Sequence, residues 1–138
     1  MSDGSLAKQA MDRPHVPLDW LGLLAVFDSV TTVALTSALD GLALRQRTIA
    51  SNIANVNTPG YHAKKVAFED ALAASVSAGE GRVEATTERS MEPTRLNGNN
   101  VNLDDAVLSN IETVLRYQFA ARAVEGTFTG VRTAIRTN

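Results

Sequence analysis

From about Phe27 to Val56 the apolar positions recur at helical spacing. Leu35, Leu39, Leu42, Gln46, Ile49, Ile53 and Val56 follow alternating steps of four and three, the seam spacing of a coiled coil. Gln46 is the polar member of that line: it either sets register and partner number, at a cost in stability, or marks a core edge that water reaches. Such a helix is a rod of about 45 Å. Gly41 weakens it by about 1 kcal/mol relative to alanine and marks a close helix contact. A second long apolar line runs through Val107, Ile111, Val114, Ala121, Val124, Phe128, Val131 and Ile135. Asn102 is placed to cap this helix, with Asp104 and Asp105 in the first turn, where the helix dipole favours negative charge. It is expected to run to about Thr133, with Gly126 and Gly130 interrupting it near the end.

The first helix has to stop within Ser51 to Tyr61. Thr58 is pushed toward an extended conformation by the ring of Pro59, so the helix ends near Val56 or Asn57. Pro59 then fixes φ for the first central position of a turn, and Gly60 takes the positive φ that a type II turn needs at the second. Asn52 and Asn55 share a face distinct from that of Ile49 and Ile53. With Asn57 they read either as a polar docking strip or as shapers of a turn within one subunit.

Between the helices, Tyr61 to Phe68 suits a short strand or arm, and Phe68 to Val76 a short helix with Glu69 and Asp70 in its first turn. Residues 77–100 are rich in Gly, Ser, Thr, Asn and charge; Val83 and Ala85 are strand candidates, and Asn97-Gly98 is a turn dipeptide. The expected organisation is a flexible leader over 1–25, a helix over 26–57, a turn, arm and mobile loop over 58–101, and a helix over 102–138. In the leader, Trp20 and Leu21 are candidates for a docking arm. The fold class is mainly α, with long terminal helices forming a coiled-coil-like core and an extended region between them.

At 138 residues the chain makes one small domain at most. Its hydrophobic fraction of 44% contains few aromatics, at 5%, and much alanine and valine, which suits helix seams better than a thick globular core. The net charge of −2 gives no electrostatic reason to expect nucleic acid or an anionic membrane. Cysteine is absent, so there are no disulfides and no thiolate chemistry. No run reaches the roughly 20 apolar residues of a membrane span, and the short apolar stretch Leu21 to Phe27, without an adjoining basic segment, does not read as a signal peptide. His15 and His62 lack a second ligand at metal spacing, and neither a phosphate-cradling loop nor a nucleophile elbow occurs. No catalytic residue, cofactor site or metal site is expected, and the chain does not read as an enzyme.

Ser51 to Tyr61, Ser-Asn-Ile-Ala-Asn-Val-Asn-Thr-Pro-Gly-Tyr, with Ala38 to Ala50 before it, resembles the N-terminal signature of flagellar rod and hook proteins. Ala63 to Leu72, Gly98 to Asp104 and the Leu115-Arg116-Tyr117-Gln118 stretch are similar to segments of the proximal rod members. A Pro-Asn-Val type entry to the last helix, expected of the rod protein FlgC, is not found. The family usually begins at about the position of Val26, so the leader is also readable as a start-site extension.

The resemblance implies a structural subunit of the basal-body rod that stacks with copies of itself, with FlgC, FlgF and FlgG and with the adaptor FliE. It implies passage through the flagellar export apparatus without a cleaved signal peptide. Leu35, Leu39, Leu42, Ile49 and Ile53 would then meet Val107, Ile111, Val114, Ala121 and Phe128. Asn52, Asn55, Asn57 and Tyr61 would join Gln46 at subunit contacts, while Thr58, Pro59 and Gly60 shape the turn. On physics alone, two amphipathic helices also fit a helical adaptor or export-chaperone-like protein. That protein would form a defined small oligomer, whereas a rod subunit is expected to be a monomer that orders on packing.

Overall fold

The computed structural model describes residues 18–136, in the order α1 (Leu18–Ala54), β1 (Lys64–Ala67), α2 (Glu69–Ser77), β2 (Thr86–Arg89) and α3 (Leu103–Arg136). The chain is mainly helical, as expected. Helix α1, 37 residues long, extends about 55 Å. It begins earlier than the pattern suggests: residues 1–17 of the expected leader lie outside the described residues, but from Leu18 on the backbone is helical. Docking by the Trp20 and Leu21 side chains lies outside what is described.

Helix α1 ends at Ala54 and unwinds through the turns that precede Pro59. Gly60 takes φ +72°, the left-handed value the turn requires. At the other end of the arm Asn102 caps α3: its Oδ1 accepts the N–H groups of Asp104 at 3.1 Å and Asp105 at 3.3 Å. The packing of α1 against α3 is the main tertiary interaction. The pair is antiparallel, with Asn102 and Ala106 beside Ile49 and Asn52, and Ala120 in the cluster of Leu42, Val66 and Phe68.

The segment expected to be a mobile loop is fastened down. Strands β1 and β2 pair antiparallel, with Lys64 opposite Arg89 and Ala67 opposite Thr86. The second strand therefore lies at Thr86–Arg89 rather than at Val83 and Ala85, which instead pack half-buried on the core cluster. Val83 donates its N–H to Ser37 Oγ at 3.2 Å. Phe68, 5% exposed, lies so close to α1 that a Cβ added to Gly41 would stand 2.7 Å from its ring. The close helix contact expected at Gly41 is not what the structure shows: the residue against it is the aromatic ring of Phe68.

Candidate subunit interface

Three features could serve assembly: the corner at Ser51 to Tyr61, the ionic hub at Glu69, and the outer face of α3. The corner is stitched by asparagine side chains. Asn52, which is buried, accepts Lys64 N–H at 2.9 Å and the Tyr61 hydroxyl at 3.2 Å through Oδ1, and donates to Lys64 O at 2.8 Å. Asn55 donates to Ser51 O and accepts from the Thr58 hydroxyl. The expected docking strip is therefore turned inward at Asn52, while Asn57, Thr58 and Pro59 are exposed.

The partner of this corner comes from the far end of the arm. Asn99, with 0% exposure, donates to Asn55 O at 2.9 Å and to Thr58 O at 2.8 Å, and accepts from Arg95 at 2.9 Å and from Val101 N–H at 2.8 Å. Asn100 accepts Ala63 N–H at 2.7 Å and donates to Glu92 O at 2.9 Å. Arg95 also donates to Val56 O at 2.6 Å, satisfying a carbonyl left open where α1 ends. Buried amides satisfied on every side fix one geometry, since each lost partner leaves a desolvated polar group. Sequence reasoning saw Asn97-Gly98 as a turn but not Asn99 and Asn100 as the locks; two adjacent amides flanked by a turn and an N-cap were the available signal.

Glu69 joins three elements. Its carboxylate receives a bidentate pair from Arg45, at 2.6 Å and 2.7 Å, and a contact from Arg116 of α3 at 3.4 Å. Arg116 also pairs with Glu112. The Arg45 guanidinium donates to Val66 O at 2.9 Å and stands 5.0 Å above the Phe68 ring, a cation–π distance. The Arg45 hydrogen bond holds the Glu69 carboxyl down at about 2, against the opposing push of partial burial.

The expected lines meet only in part. Leu42 and Ile49 are buried, and Leu35, Leu39 and Ile53 are half-buried. Gln46 is exposed, so it sets no register within this pair. On α3, Val114 and Ala121 are half-buried, but Val107, Ile111 and Phe128 are 46%, 53% and 58% exposed. The residues turned to α1 are instead small: Ala106, Asn110, Thr113 and Ala120. Thr113 and Thr48 send their hydroxyls back to Ser109 O and Leu44 O, which lets polar residues sit in a close helix seam without unpaired groups. Large side chains there would hold the helices apart, so the bulk faces outward: Leu103, Val107, Leu108, Ile111, Leu115 and Phe119 form an exposed apolar face. Scattered exposed apolar residues are ordinary, but a contiguous stripe of this kind marks an interaction site.

The described residues form a helical hairpin with an asparagine-locked corner and an outward apolar stripe, a surface suited to packing against other chains. Residues 34–62, covering that corner, match the family described as Flagella basal body rod protein. Over these residues the chain is similar to the flagellar basal-body rod proteins. Among them it is similar to FlgB: it is 28% identical over 124 residues to flagellar basal body rod protein FlgB of Bacillus subtilis (strain 168), covering 78% of this chain and 94% of that protein. It is 39% identical over 66 residues to FlgB of Borrelia hermsii, covering 48% of this chain and 42% of that protein.

Proposed function

We propose that this chain is a structural subunit of the proximal flagellar rod and that it packs, through the exposed stripe of α3 and the outer surface of the corner, against copies of itself and against other rod proteins. FlgC, FlgF and FlgG and the adaptor FliE are the partners this reading assigns. The flagellar export apparatus is its route across the inner membrane, without signal cleavage or membrane insertion. The supporting observation is the orientation of α3, whose small residues fill the seam with α1 while its large apolar residues face away from the subunit. Leu35, Leu39 and Ile53, half-buried along α1, and Gln46 and Asn57 complete the proposed contact surface.

The test is removal of the gene from its host, followed by electron cryotomography of basal bodies and a motility assay. The expected result is basal bodies without a rod and immotile cells, restored by the full chain. Normal rods in the deletion strain would overturn the proposal.

A further inference from the structure

The outward stripe of α3 has a charge order of its own. Asp104 and Arg122 each stand nine residues, two and a half turns, from Thr113, the residue of α3 most deeply set against α1, at 2% exposure. Both therefore lie on the opposite side of the helix, in line with the stripe and about 27 Å apart along the axis. Both are exposed, and neither takes part in an ion pair of the subunit among the described residues. The stripe thus runs from a carboxylate at one end to a guanidinium at the other, with Val107, Leu108, Ile111, Leu115 and Phe119 between them.

We propose that, before incorporation, this face is covered by the same face of a second copy, with the two α3 helices antiparallel about a two-fold axis that crosses the stripe at the level of Thr113. In that arrangement Asp104 of each copy meets Arg122 of the other, Leu108 meets Phe119, and Ile111 meets Leu115, while Val107 falls beside Gln118, so the charges and most of the apolar bulk are matched by one operation. The contact is isologous. A parallel pair would set Asp104 against Asp104 and Arg122 against Arg122, which is repulsive at both ends. A two-fold contact is closed and cannot propagate, so the pair is a holding form of the subunit that keeps its apolar face from premature polymerisation. It is short beside a standard interface, which makes it weak and reversible, as a holding form must be. This departs from the monomer expected on sequence grounds.

The experiment is sedimentation velocity on the purified full chain across the micromolar range, with circular dichroism to confirm that each variant keeps its helix content. The expected result is a concentration-dependent monomer–dimer equilibrium that is abolished in I111D. The variants D104R and R122D should each be monomeric alone. Mixed in equal amounts they should form a heterodimer, because one then carries positive charge and the other negative charge at both ends of the stripe. A chain that stays monomeric throughout, a dimer that survives I111D, open-ended polymer in place of a dimer, or a mixture of D104R and R122D that fails to pair would each overturn the proposal. A monomeric chain that still restores rods in cells would remove the pairing and leave the rod assignment standing.

Discussion

Replacing Gly41 by alanine sets two effects of known sign against each other. In an exposed helix interior the change stabilises by about 1 kcal/mol, through helix propensity. Here the new Cβ would stand 2.7 Å from Cδ1 and 2.8 Å from Cε1 and Cγ of Phe68, closer than carbon atoms can approach without displacement. The ring cannot swing away at little cost: it is 5% exposed, sits beneath Arg45, and begins the helix whose Glu69 holds that same arginine. Overpacking of this kind costs about 1–3 kcal/mol, and loosening the Phe68 contact adds to it. Set against the propensity gain, this leaves a net destabilisation of about 0–2 kcal/mol before the loosened Phe68 contact is added.

Gly126 is the control, since nothing lies within 4 Å of a Cβ added there, and Gly126→Ala should stabilise by up to about 1 kcal/mol. The measurement is urea denaturation followed by circular dichroism, with unchanged slopes taken as the condition for comparing midpoints. Phe68→Leu combined with Gly41→Ala should cost less than the sum of the single changes, because the smaller side chain clears the new methyl. Equal stabilisation by Gly41→Ala and Gly126→Ala would refute the reasoning, as would strict additivity with Phe68→Leu.

Asn99→Ala strips hydrogen bonds from the carbonyls of Asn55 and Thr58 and should destabilise by about 2–5 kcal/mol, read from the same denaturation midpoint; a loss under 0.5 kcal/mol would show the corner held by other means. Acid should weaken the fold through Glu69. Its carboxyl titrates at about 2 in the folded chain against 4.5 ordinarily, so its contribution is present above pH 4.5 and is lost as pH falls from there toward 2. With the Glu69 side chain 45% exposed, solvent screening limits that contribution to about 1 kcal/mol, and Glu69→Gln should flatten this part of the stability profile. A mutant as acid-sensitive as the parent would refute the assignment. Ile53→Asp places a charge in the half-buried line of α1, at a cost of a few kcal/mol, and should abolish rods and swimming; normal motility would remove Ile53 from the seam.

Local chemistry was enough for everything that neighbours in the chain decide. Thr58-Pro59-Gly60 had to break the helix because a proline ring and a positive φ leave no other course, and Asn102 with Asp104 and Asp105 had to begin α3 because an amide oxygen and two carboxylates suit free N–H groups. The long four-and-three spacing made α1 and α3 helices, and the signature around Asn52 and Tyr61 carried the resemblance that the family match supports. What periodicity could not supply was which side of α3 meets α1. A search for apolar residues selects Val107 and Ile111, but the contact is made by Ala106, Thr113 and Ala120, because the distance between two helices is set by the size of the side chains between them and size is judged only against the partner. The same holds for Asn99, whose partners at Asn55 and Thr58 lie more than forty residues away, for Gly41 and the ring that fills its missing side chain, and for Arg45 and Glu69. Each is half of a fit, and the other half is brought to it only by the tertiary fold.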